Sequence, residues 1–142
     1  MRPVKVLFVC IGNSCRSQMA EALARALASD VIAPSSAGLS PLGFIAPPTL
    51  AVLEERGAGA DGQYSKSLPE ANADGAEMVI NMSGHPIDRL FTGSKARIEN
   101  WDIADPYGED LELYRRIRDE IEEHLKHLAE RLRKKRRPAR KR

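Results

Sequence analysis

The stretch Val4-Lys5-Val6-Leu7-Phe8-Val9-Cys10-Ile11-Gly12-Asn13-Ser14-Cys15-Arg16-Ser17 decides how the rest of the chain is read. Val4 to Val9 is short and, apart from Lys5, wholly apolar, as a buried strand of a parallel sheet should be. The run stops at the polar cluster Gly12-Asn13-Ser14. Beyond it Met19, Leu23, Ala26 and Leu27 recur at helical spacing among good helix formers. The order is strand, tight loop, helix. In an open parallel sheet that first loop, beyond the carboxyl ends of the strands, is where a ligand sits.

Working outward, Val31-Ile32-Ala33 reads as a second strand, ended by Ser35-Ser36-Ala37-Gly38. Residues 38–48 hold three prolines and two glycines around Phe44, a surface loop near an opening. Pro48 can start the next helix, with Leu50, Leu53 and Val52 turned inward and Gly57 placed to end it. Ala76 to Met82 reads as a third strand, and Arg97 to Ile103, including Trp101, as a fourth. A long amphipathic helix starts near Asp110, with Leu111, Tyr114, Ile117, Ile121, Leu125, Leu128 and Leu132 three or four residues apart. Strands alternating with helices predict an α/β fold, a small doubly wound sandwich. It would have a four-stranded parallel sheet and helices on both faces. One domain is expected over residues 1–132, followed by a basic, flexible tail over 133–142.

The 142 residues and 15.7 kDa suffice for a single domain with a real core. A hydrophobic fraction of 42% with only 5% aromatics is globular and unlike an aromatic-rich sandwich. Nine of the twelve residues from Arg131 to Arg142 are Lys or Arg and none is acidic, leaving 13 basic against 20 acidic residues in 1–130. The overall charge of +2 therefore joins a body of −7 to a tail of +9, which argues against a nucleic-acid-binding domain. A solvated terminus is expected for the tail, with weak contact to nucleic acid, anionic lipid or an acidic partner as the functional reading. Cys10 and Cys15 are too close in sequence to staple a secreted mini-protein. With no signal-like segment and no apolar run near the roughly 20 residues that cross a bilayer, a cytoplasmic domain is expected.

The loop has the pattern C-x5-R-S, and physically it is an anion cradle. Backbone N–H groups can turn inward there, and the following helix adds its positive N-terminal end. Gly12 and Asn13 tolerate positive φ better than most residues. Arg16 offers a planar fork to a tetrahedral oxyanion. Cys10 stands where these positive groups converge, which favours a thiolate, and Ser17 can donate a hydrogen bond to it. A thiolate attacking phosphorus needs an acid for the leaving oxygen. Composition does not choose among 20 acids, but Asp105-Pro106-Tyr107 follows a predicted strand, and Pro106 restricts the backbone of Asp105. Ile11 and Phe44 are candidates for lining the pocket.

Other motifs fit plainer readings. Gly57-Ala58-Gly59-Ala60-Asp61-Gly62 spells G-x-G-x-x-G, but it follows a helix instead of a strand. His124 and His127 share a helix face without an evident third ligand, so no metal is expected. His85, beside Pro86, reads as a loop residue and Trp101 as core.

Val6 to Ser17, with Asp105-Pro106-Tyr107 near the far end, resembles the low-molecular-weight protein tyrosine phosphatases over residues 4 to 130. The resemblance implies that Cys10 forms a phosphocysteine and that Arg16 binds phosphate and the transition state. It implies that Asp105 protonates the leaving group and then activates water, with no metal or cofactor. Ile11, Gly12, Asn13, Ser14, Cys15, Ser17 and Tyr107 would bind the substrate, a phosphotyrosine-containing protein. Inorganic phosphate or another oxyanion would occupy the same loop. The resemblance also suggests that Cys10 and Cys15 pair reversibly under peroxide.

Cys15-Arg16-Ser17-Gln18-Met19-Ala20-Glu21 and Ser65-Lys66-Ser67-Leu68 are similar to the thioredoxin-coupled arsenate reductases. Those enzymes relay oxidation through two further cysteines after the third strand, where this chain has Met82 and Arg89. The expectation is therefore a tyrosine phosphatase. The alternatives are an arsenate reductase using an external thiol, or an oxyanion-binding sensor without catalysis.

Overall fold

A computed structural model describes residues 2–136. Its sheet has four parallel strands: β1 (Val4–Cys10), β2 (Ile32–Gly38), β3 (Met78–Asn81) and β4 (Arg97–Asn100). Their order is β2-β1-β3-β4. The chain steps from β1 to one side and then crosses to the other, so the switch in direction falls at the end of β1.

Side chains along β1 alternate between two cores, as the two-residue period of a strand requires. Val6, Phe8 and Cys10 face a layer of three α-helices, α1 (Arg16–Ala28), α2 (Pro47–Glu54) and α3 (Leu111–Arg136). Leu7 and Val9 face the other side, where Ile87, Phe91 and Ala73 pack from short 3-10 turns and loops. Both faces of the sheet thus carry helical segments, long on one side and single-turn on the other.

Several boundaries differ from the sequence expectation. β2 runs through Pro34 to Gly38, which an edge strand allows because the proline's missing N–H is not needed by a neighbour. β3 and β4 are shorter, ending at Asn81 and Asn100. Trp101 lies just past β4, with its ring 6.0 Å from that of Phe8 and 4.9 Å from that of His124. In α1 the inward positions are Met19, Ala20, Leu23, Ala24 and Ala28, whereas Ala26 and Leu27 are exposed. In α2, which starts at Pro47, Leu50 is exposed and Thr49 takes an inward place beside Val52 and Leu53.

The boundary expected at residue 133 falls inside α3. Arg133 grips the carboxylate of Asp30 with two bonds of 2.9 Å and reaches the Leu27 carbonyl, so the helix continues to Arg136. Residues 137–142 of the expected tail lie outside the described residues.

Candidate active site

β1 ends at Cys10 and α1 begins at Arg16, leaving residues 11–15 to turn between them. Asn13, and not Gly12 as also expected, takes the positive φ of 48° at the centre of this turn; Gly12 is small because Leu42 lies over it. Its side chain is fully buried and used on both ends. Nδ2 donates to Ser17 Oγ at 2.7 Å, and Oδ1 accepts from Gln18 Nε2 and from the Lys66 amide, both at 2.9 Å. Ser17 Oγ lies 2.8 Å from Cys10 Sγ. Because that hydroxyl already accepts from Asn13, its proton is available to the sulfur.

Segment 38–42 continues alongside the loop as the strands would. Leu39, Ser40 and Leu42 donate their amides to the carbonyls of Cys10, Ile11 and Gly12. Ser65 Oγ donates to the Gly12 carbonyl at 3.0 Å, and Thr49 Oγ1 to the Ser14 carbonyl at 2.9 Å. Ser14 Oγ accepts the Ala46 amide at 2.9 Å. The loop is therefore held from outside as well as from within.

Arg16 is 4% exposed. Its Nη1 donates to the Met82 carbonyl at 2.5 Å and to the Ile103 carbonyl at 2.9 Å. Nη2 stands 3.6 Å from a carboxylate oxygen of Asp105, and Nε is buried with no hydrogen-bond partner among the described residues. A buried guanidinium N–H without an acceptor is costly, so this atom points to a ligand that supplies one. Asp105 is half-exposed, and its other oxygen accepts the Tyr107 amide at 3.1 Å. A cavity of about 180 Å³ lies over the loop, lined by Cys10, Ile11, Gly12, Ser14, Cys15, Arg16, Leu42, Asp105 and Tyr107.

The sequence-predicted residues Cys10, Ile11, Gly12, Ser14, Cys15, Arg16, Asp105 and Tyr107 thus meet around one opening, with Asn13 and Ser17 buried behind it. Phe44 is not among the lining residues. Leu42 takes that place, its side chain so close over Gly12 that an added Cβ there would lie 2.9 Å from it. Sequence reasoning missed Leu42 and Gly38; the only signal for Gly38 was its position at the end of a strand.

Cys15 Sγ sits 3.5 Å from the Tyr114 hydroxyl. Burial pushes the Cys15 thiol up, with the Tyr114 and Thr49 hydrogen bonds partly offsetting it. Burial and the Cys15 contact push the Tyr114 phenol up as well, so this pair is neutral at ordinary pH. Lys66, nearly buried, has its ammonium pushed down by burial against the pull of Glu21 at 3.8 Å. Among the described residues no group of three or more His, Cys, Asp or Glu side chains is placed to hold a metal ion. None of the described helices is long and apolar enough to cross a membrane.

The family model for the low molecular weight phosphotyrosine protein phosphatases matches residues 5–138. The chain belongs to that family. Among its curated members, a glutaredoxin arsenate reductase of Synechocystis sp. is 38% identical over 125 residues, covering 87% of this chain and 95% of that protein. A protein-arginine-phosphatase of Bacillus subtilis is 34% identical over 149 residues, covering 93% and 99%. Among solved structures of the family, an arginine phosphatase from Geobacillus stearothermophilus superposes with a TM-score of 0.84 at 32% identity, covering 97% of this chain and all of that one. An arsenate reductase in its phosphate-binding state gives 0.81 at 35% identity, covering 91% and 98%.

Proposed function

We propose that the protein is a cysteine-dependent phosphatase that hydrolyses phosphotyrosine and other aryl phosphate monoesters. The observation that carries this reading is Arg16 Nε, buried without a partner among the described residues and lining the same cavity as Cys10. One phosphate oxygen completes it, and the others take the Arg16 Nη2 and the loop amides. Cys10 Sγ then attacks phosphorus opposite the leaving oxygen, forming the S–P bond as the P–O bond breaks. Asp105, at the mouth, gives its proton to that oxygen. Water next attacks the phosphocysteine while Asp105 takes its proton, and inorganic phosphate leaves. Ser17 supports the sulfur as it becomes a leaving group. Leu42, Ile11 and Tyr107 offer apolar walls that suit a planar ring. A relative 30% identical, a cysteine-to-serine mutant of an arginine phosphatase bearing a phosphorylated active-site serine, supports a covalent phosphoenzyme intermediate.

The 38% identity to an arsenate reductase favours a second reading. In it Cys10 forms the adduct with arsenate, and an external thiol attacks Cys10 sulfur, releasing arsenite and leaving a mixed disulfide. Hydrolysis of para-nitrophenyl phosphate by the wild type, Cys10→Ser and Asp105→Asn separates the two. We expect loss of turnover in Cys10→Ser and a fall of about 10²–10⁴ in Asp105→Asn. Phosphotyrosine and phosphoarginine peptides then rank the leaving groups. A folded wild type that is inert toward all of these, but reduces arsenate with glutathione and glutaredoxin, overturns the phosphatase reading.

A further inference from the structure

Asn81 closes β3 and is 3% exposed, yet it lies outside the lining of the loop cavity. Its amide uses every hydrogen-bonding position it has. Nδ2 donates to the His85 carbonyl at 2.7 Å and to Asn100 Oδ1 at 2.9 Å. Oδ1 accepts from the Ser83 amide at 3.0 Å and from the Ser83 hydroxyl at 2.7 Å. Gly84, with φ of 78°, lets the chain close around this one side chain.

Met82 is held inside that turn. Its amide donates to the Val9 carbonyl at 2.7 Å, on the strand that carries Cys10. Its carbonyl accepts from Arg16 Nη1 at 2.5 Å. The peptide after β3 is therefore a rigid spacer between the nucleophile's strand and the guanidinium. Its direction is set by the turn that Asn81 organises.

We propose that Asn81 is a positioning residue for oxyanion binding: by winding residues 81–85 it aims the Met82 carbonyl at Arg16 Nη1 and so turns the Nε and Nη2 edge toward the anion. The inference rests on the proposed function only in taking the loop to bind an oxyanion. Arg16 keeps its bond to the Ile103 carbonyl when Asn81 is changed, so the effect is partial.

Alkylation of Cys10 tests this without requiring turnover. Iodoacetate carries a negative charge that Arg16 can guide, whereas iodoacetamide is neutral and of similar size. Asn81→Ala is expected to slow inactivation by iodoacetate about tenfold, the loss typical of one hydrogen bond to a charged group. Inactivation by iodoacetamide should stay as in the wild type, and protection by inorganic phosphate should need a correspondingly higher concentration. In an Arg16→Lys background the same change should do nothing further. Equal rates for both reagents in the variant and wild type overturn the proposal, as does a change common to both reagents. Should Asn81→Ala not fold, Asn100→Ala removes one acceptor at an exposed position. It must then show a smaller loss confined to iodoacetate, or the proposal falls. Absence of phosphatase activity leaves this test intact, so the two readings fail separately.

Discussion

At Gly38 a single added methyl group would sit 2.7 Å from the Ile11 carbonyl oxygen and 2.9 Å from the Asn13 amide nitrogen. Both neighbours are backbone of the loop between β1 and α1, so neither can swing aside as a side-chain end would. Gly38→Ala should therefore cost about 1–3 kcal/mol, typical of overpacking in a tight site, read from urea unfolding. It should also weaken inhibition by inorganic phosphate, because relief comes by displacing Ile11 and Asn13. Asn13 illustrates the reverse case, where identity was legible at once. A polar residue that tolerates positive φ, between glycine and serine before a helix, says what it does locally. Cys10 and Arg16 were legible for the same reason. Leu42 was not, because its place depends on its amide reaching the Gly12 carbonyl across thirty positions of chain. Asn81 reads as a plain strand end until the turn around it is seen.

Among the elements, α3 is the longest helix of the helical layer. Tyr114, Ile117, Ile121, Leu125, Leu128 and Leu132 are all buried along one stripe, as the sequence spacing predicted, whereas Leu111, expected in it, is exposed at the first turn. Ile121 has no exposed surface, and truncating it to alanine should cost about 2–5 kcal/mol by denaturant unfolding, with KM for an aryl phosphate nearly unchanged. Arg118 fastens the same helix to α2 through the Val52 carbonyl at 3.0 Å and Glu55 at 2.6 Å. The shorter helices were harder to read. In α2 a polar residue, Thr49, takes an inward position because its hydroxyl serves the Ser14 carbonyl, so hydrophobicity alone pointed to Leu50. In α1 the close approach to β2 and α3 favours alanines, and the bulkier Leu27 stays outside. α3 runs on past residue 132 because Arg133 pairs with Asp30, a partner that a run of basic residues does not disclose. Only the fold reveals that Asp30 waits beside it.

For the molecule as a whole, the buried Cys15–Tyr114 pair predicts a weakness at alkaline pH. Folding raises the Cys15 pKa above its ordinary value near 9, so the unfolded chain loses this proton first. The contribution is fully present below that pH and is lost as pH rises toward the folded value. Tyr114 adds the same trend from about pH 10 upward. Lys66, pushed down by burial, acts oppositely up to about pH 10.5. Subtracting the melting curve of Cys15→Ala from that of the wild type removes the Lys66 contribution. The difference should be flat from pH 7 to about 9 and then turn against the wild type. A difference that stays flat to pH 10.5 would show the thiol to be unperturbed.

Arg16 reaches the Met82 carbonyl across 66 residues and the Ile103 carbonyl across 87. Its orientation is thus assembled from stretches that meet only when β1 lies against β3 and the segment after β4 has arrived. A chain emerging during synthesis exposes Cys10 long before those partners exist. It carries the sulfur and the loop amides, but not the oriented guanidinium edge that the proposed function asks of Arg16. On the proposed function, full chemistry at Cys10 waits for completion of the sheet, so a half-formed or damaged copy works at a fraction of the native rate.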